Sequence, residues 1–261
     1  MVRGLDRFKE YFVDFQDQYT VIGGTAVFVA MDAAGLAFRV TKDIDIVLCI
    51  ETIDASFVKG IWAFVDKGDY EYQQKSTGNP RFYRFYKPKD ATFPHMLELF
   101  SRAPDSVQVP KGCHLTPIPA AEEVSSLSAI LLDDDYYNLV RKGCVQEDGL
   151  SVLTPEYLVP MKARAYLDLS ERRSQGQDIS TNDVKKHRND IIRMSQLISP
   201  NTRVALPDKV LEDLAVFVSK GLPDGCNPQD LGIPETSLED IGNLLSTVYG
   251  LQAAEKGESH T

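Results

Sequence analysis

Between Phe38 and Ile50 the chain reads Phe-Arg-Val-Thr-Lys-Asp-Ile-Asp-Ile-Val-Leu-Cys-Ile, and no other stretch constrains the fold as strongly. Its β-branched and apolar residues predict a strand, and Ile44 to Ile50 is apolar enough to be buried apart from one aspartate. Side chains alternate faces along a strand, so Asp43, Asp45 and Val47 share one face while Ile44, Ile46 and Leu48 share the other. The core strand of this protein therefore carries two carboxylates side by side.

The residues before it set up an alternation of helix and strand. Phe8, Tyr11, Phe12 and Phe15 recur at helical spacing and predict a helix over Asp6 to Gln16. Tyr19 to Ile22 reads as a short strand stopped by Gly23-Gly24, and Thr25 to Ala34 as a helix closed by Gly35. Further on, a helix is expected over Phe57 to Asp66, with strands over Arg81 to Lys87, His95 to Phe100 and Ser126 to Leu132. Beyond Thr154 the pattern turns helical. Thr154-Pro155-Glu156 has the N-cap, first-position proline and first-turn acid of a helix running toward Arg173, with Pro160 as a kink or late start. Ser174 to Asp178 is a polar loop, Ser180 to Asp183 offers caps for a helix through Ile198, and amphipathic stretches follow near 207–220 and 237–252. Residues after Ala253 read as a frayed tail. The expected architecture is α/β (α+β): a mixed sheet with flanking helices over 1–150, then a helical domain over 151–261 that completes a ligand cleft.

Composition removes several classes. With 261 residues, 43% hydrophobic, 25% charged, 17 Gly and 14 Pro, the chain is neither collagen, coiled coil nor wholly disordered. No apolar run approaches the roughly 18 residues of a membrane-spanning helix. The charged start Met-Val-Arg-Gly-Leu-Asp-Arg does not read as a signal peptide, so a cytoplasmic protein without membrane partners is expected. Cys49, Cys113, Cys144 and Cys226 form no C-x-x-C pair, which argues against disulfides and zinc knuckles. A net charge of −10 argues against holding nucleic acid by global charge, although the stretch from Lys162 to Arg193, with eight Lys/Arg against five acids, is locally basic.

Two adjacent carboxylates on a strand repel unless a cation or basic group lies between them. Mg²⁺, hard and readily shared with phosphate oxygens, suits Asp43 and Asp45, whereas a solvated turn or N-cap is the simpler reading of D-x-D alone. Gly23-Gly24-Thr25 upstream, at a strand-to-helix junction, favours the metal reading. Glycines there let backbone N–H groups and the helix dipole approach a phosphate.

The order of Gly-Gly, helix and D-x-D strand resembles the nucleotidyltransferase superfamily. More narrowly, Gly23-Gly24-Thr25-Ala26 with Arg39-x-Thr41-x-Asp43-Ile44-Asp45 is similar to the AbiEii/MenT-type nucleotidyltransferase toxins of type IV toxin–antitoxin systems. Lys162-Ala-Arg-Ala-Tyr-Leu-Asp168 and Lys185-Lys-His-Arg-Asn-Asp190-Ile191 match later family motifs, so the resemblance spans about residues 18 to 198. It implies an Mg²⁺ (or Mn²⁺) enzyme that transfers a nucleotide from a nucleoside triphosphate to tRNA or another RNA, restrained by an antitoxin protein. Asp43, Asp45 and Glu98 would be catalytic and metal-binding, and Gly23, Gly24, Thr25, Arg39 and Lys162 nucleotide-binding. Lys162 would contact the triphosphate, with Asp190 holding that lysine or substrate. Glu98 replaces the aspartate of many members and reads equally as an ordinary strand glutamate. Lysines and aspartates on amphipathic helices are usually a solvated face, and Lys186 and Asp190 have i,i+4 pair spacing; it is the resemblance that tips Lys162 and Asp190 toward those roles.

Other readings stay open at this level. A catalytically weak nucleotide- or RNA-binding relative would keep the fold without transfer, and an enzyme modifying small cationic molecules would need an acidic acceptor pocket. Arg81 to Lys87 interleaves basic and aromatic residues, which reads as a half-buried strand with snorkelling cations more readily than as a base-stacking platform. Asp133-Asp-Asp135 reads as a loop, and the four histidines have no metal-ligand spacing.

Overall fold

A computed structural model describes residues 2–72, 83–105, 115–118, 127–224 and 226–251. The expected features at Arg81, Phe82, Cys113, Ser126 and the tail after Ala253 lie outside these residues. The chain divides into two compact units, Met1–Thr154 and Pro155–Thr261.

The first unit is built on one mixed sheet. Its elements are α1 (Leu5–Phe12), β1 (Tyr19–Ile22), α2 (Gly23–Ala33), β2 (Asp43–Leu48), α3 (Ala55–Gly68), β3 (Arg84–Tyr86) and β4 (Met96–Ser101). There follow β5 (Leu115–Ile118), β6 (Leu127–Leu131), α4 (Asp134–Gly143), β7 (Cys144–Glu147) and β8 (Leu150–Leu153). Strand order is β5-β6-β4-β2-β1-β8-β7, with β3 beside β4. β2 lies between antiparallel β1 and parallel β4, in the middle of the sheet. Ile44, Ile46 and Leu48 are fully buried on one face with Tyr19, Leu97 and Leu99. Phe8 and Phe12, one turn apart on α1, pack 4.5 Å centre to centre, and Phe8 meets the Tyr19 ring edge-on at 5.3 Å. Phe57 and Phe64 of α3 close on Phe12 at 5.7 and 5.5 Å. This aromatic cluster leaves the opposite face of β2, the one with the aspartates, for polar groups.

Several expectations need correction. The strand predicted from Phe38 begins only at Asp43, because β4 pairs from Asp43 and β1 from Asp45, so the preceding residues have no ladder partner. Val40 is correspondingly 67% exposed. Asp133-Asp-Asp135 is not a loop but the start of α4: the Asp133 carboxylate accepts from the Asp135 N–H at 3.1 Å, and Tyr136, Tyr137, Leu139 and Val140 are buried behind it. Acids at that end and Arg141 and Lys142 at the other complement the helix dipole. Strands β5, β7 and β8 were not foreseen; they are short, and pairing rather than composition makes them strands.

In the second unit the described residues form helices and turns: α5 (Pro155–Ser174), α6 (Thr181–Met194), α7 (Asp208–Val216) and α8 (Leu238–Tyr249). Pro160 lies inside α5 without ending it. A proline cannot donate to the carbonyl four residues back, and here the Tyr249 hydroxyl donates to the Glu156 carbonyl at 2.6 Å instead. Among the described residues no helix is long and apolar enough to cross a membrane.

Candidate active site

The register of the central strands places the candidate residues in a row. Ile22 on β1 is opposite Asp45 on β2, Asp45 is opposite Glu98 on β4, and Glu98 is opposite Arg84 on β3. Residues paired this way point to the same side, so Asp45, Glu98 and Arg84 share the face that the aromatic cluster does not cover.

At the left of that row the chain turns from β1 into α2 through Gly23, whose φ of +69° favours glycine. A β-carbon there would stand 2.2 Å from Asp45 Oδ2, so glycine is required for space as well as for conformation. Gly24 is different. Its constraint is space alone, since a β-carbon would lie 3.0 Å from Thr41 Oγ1 and 3.3 Å from an Arg39 guanidinium nitrogen. Thr25 is fully buried, and its hydroxyl donates to the Asp43 carbonyl at 2.7 Å, tying the first turn of α2 to β2. No side chain caps α2 at this end, and its first turn contains no acid. Backbone N–H groups and the positive end of the helix thus lie beside the two aspartates, an arrangement suited to phosphate oxygens.

A divalent cation fits the aspartate pair. Asp43 Oδ1 is buried and accepts no hydrogen bond, a costly state for a carboxylate oxygen unless a cation serves it. Carboxylate oxygens are also the donors that Mg²⁺ and Mn²⁺ take. Glu98 is only 8% exposed, and its carboxylate is ion-paired with the Arg84 guanidinium. Among the described residues no three His, Cys, Asp or Glu side chains are grouped to hold a metal ion. Asp43 and Asp45 share one face of β2, and the third carboxylate expected from the resemblance, Glu98, is engaged by Arg84. In the sequence Arg84 looks like a snorkelling cation of an aromatic strand; only the pairing of β3 with β4 makes it the partner of Glu98.

No family model matches the chain. No curated protein matches it either. Among solved structures, the chain is similar to the solution structure of the antibiotic-resistance factor ANT(2'')-Ia, whose conformational dynamics are substrate-regulated. The likeness covers 84% of this chain and 92% of that one, at 12% identity and a TM-score of 0.39.

Lys162 and Asp190, the remaining candidates, meet within the second unit. Lys162 Nζ on α5 donates to Asp190 Oδ2 on α6 at 2.9 Å, with the two residues 5% and 0% exposed. The solvated-face reading is therefore overturned, and so is the Lys186–Asp190 pair: Lys186 binds Asp183 at 3.1 Å, because Asp190 points inward toward α5.

Proposed function

We propose that this chain is a divalent-cation-dependent nucleotidyltransferase. One observation carries the reading: a buried, unserved Asp43 oxygen beside Asp45, whose own carboxylate lies against the glycine that opens an uncapped helix. Asp43 and Asp45 would hold Mg²⁺ or Mn²⁺, which when bound neutralises triphosphate charge and favours the departure of pyrophosphate. The backbone at Gly23, Gly24 and Thr25 orients the phosphates, and Arg39, beside Gly24, supplies a cation from the same side. Glu98 takes the proton of the acceptor hydroxyl as its oxygen bonds to the α-phosphorus and the bond to the bridging oxygen of pyrophosphate breaks. In this reading Arg84 positions Glu98 and releases it for that step.

By the motif resemblance, the acceptor is tRNA or another RNA, and the chain acts as a toxin of a type IV system, restrained by an antitoxin. A second reading is favoured by the Arg84–Glu98 pair: a relative that binds nucleotide or RNA but transfers weakly, because its third carboxylate is neutralised.

The test is transfer of label from α-labelled nucleoside triphosphates to total RNA with Mg²⁺ present, for the parent and Asp45→Asn. Loss of a major electrostatic contact lowers transfer by about 100-fold or more. Near-normal transfer by a folded Asp45→Asn variant overturns the assignment, whereas triphosphate binding by the parent that does not depend on Mg²⁺, with no transfer, favours the weaker relative.

A further inference from the structure

The second unit has a pocket of about 540 Å³ between α5 and α6. Tyr166, Ser170 and Arg173 line it from α5, and Thr181, Lys185 and Arg188 from α6. Tyr166 and Arg188 lie within about one turn of Lys162 and Asp190, and the pocket runs from there along α5 to Arg173, about 16 Å from Lys162 at 1.5 Å per residue.

Arg188 is the unusual member. It is 5% exposed, and its Nε is buried without a hydrogen-bond partner. One terminal nitrogen donates to the Tyr166 hydroxyl at 3.3 Å and to the Gly221 carbonyl at 3.2 Å, and the guanidinium lies 5.5 Å from the Tyr166 ring centre. Gly221 must be glycine for that approach, since a β-carbon would come within 2.6 Å of the Tyr166 ring. These partners are all neutral. Among the described residues no carboxylate lies within salt-bridge distance of Arg188, and a buried cation without a counter-charge is unfavourable.

Among the described residues, two exposed cations beside it also lack an ion-pair partner. Arg172 pairs with Asp168 and Lys186 with Asp183, but their neighbours Arg173 and Lys185, which line the pocket, have no ion pair among the described residues. One acid, Asp224, also lines the pocket, and it pairs with none of the three cations. The pocket therefore has an excess of two positive charges, a guanidinium fixed by packing, and a volume in the range of small-molecule sites.

We propose that this pocket binds a phosphomonoester, with Arg188 as the fixed ligand and Arg173 and Lys185 as exposed cations that close over the phosphate. A guanidinium offers planar paired donors to phosphate oxygens, and Arg188 has its Nε still to give. The site is independent of the transfer reaction and takes its ligand whether or not the first unit is an enzyme.

The experiment follows the Nε–Hε resonance of Arg188 by NMR while the full chain is titrated with inorganic phosphate, with chloride at matched ionic strength as control. A saturable shift specific to phosphate is expected. Arg173→Ala combined with Lys185→Ala, both on exposed positions, should weaken binding by about tenfold or more. Asp224→Asn should tighten it. Ribose 5-phosphate and a 5′-phosphorylated dinucleotide are compared next; tighter binding of the first identifies a free small molecule, and of the second a phosphorylated chain end. No saturable shift at Arg188, an equal shift with chloride, or unchanged affinity in the double variant overturns the proposal.

Discussion

The carboxylate of Asp45 occupies the space that a β-carbon on Gly23 would need, with 2.2 Å between that position and Oδ2. The contact follows from register: Ile22 pairs with Asp45, so the next residue turns over it. Gly35 gives an internal comparison, because its φ of +70° is nearly that of Gly23 but nothing lies within 4 Å of its β-carbon position. Gly35→Ala should cost only the left-handed penalty of about 1 kcal/mol. Gly23→Ala should cost more and also weaken triphosphate binding, because the Asp45 carboxylate must move. Thermal melts and titrations of both variants decide it; equal losses would mean that the steric contact contributes nothing.

Lys162 and Asp190 form a buried pair, so Asp190→Asn leaves a buried ammonium without its carboxylate and Lys162→Met takes from a fully buried carboxylate its ammonium partner. Lys162→Met keeps the apolar stem, yet it should destabilise the chain by about 3–5 kcal/mol, as should Asp190→Asn to a similar degree. This revises the expectation of a harmless substitution that a surface lysine would justify. Urea denaturation measures it, and an unchanged midpoint for Lys162→Met would make the pair energetically idle.

Asp43 and Asp45 repel each other when no cation is shared, and the buried oxygen of Asp43 has no donor. Asp43→Asn should therefore be at least as stable as the parent in a chelator. Mg²⁺ should raise the parent's thermal midpoint, with a stabilisation of about 2.7 kcal/mol at a hundredfold excess over Kd, and leave the variant's unchanged. An equal rise in both proteins would locate the cation elsewhere.

Asp54 caps α3: its carboxylate accepts from the Phe57 N–H at 2.8 Å and from Gln18 Nε2 at 3.3 Å. The Phe57 hydrogen bond, acting against a smaller effect of burial, holds the carboxyl below its ordinary range. A carboxyl with a lowered folded-state pKa stabilises the fold above its unfolded value, and the contribution disappears as pH falls through the folded one. Asp54→Ala should cost about 1 kcal/mol at neutral pH. The gap between parent and variant should narrow once pH drops below the ordinary carboxylate range. Denaturation midpoints across the acid range test the sign; a gap that widens on acidification would contradict it.

The sequence by itself determined what depends on near neighbours. Period two put Asp43 and Asp45 on one face of a strand, helical spacing put Phe8 and Phe12 on one side of α1, and Gly23-Gly24 marked the turn between strand and helix. Tertiary structure decided whatever depends on partners far along the chain. Asp45 lies over Gly23 because β1 and β2 pair in one register, and Glu98 is engaged because β3 brings Arg84 opposite it. The central strand starts at Asp43 because no ladder reaches Phe38, and Lys162 is buried because α6 presents Asp190 to it. An amphipathic pattern states which residues are polar; only packing decides whether a polar residue meets water or another charge.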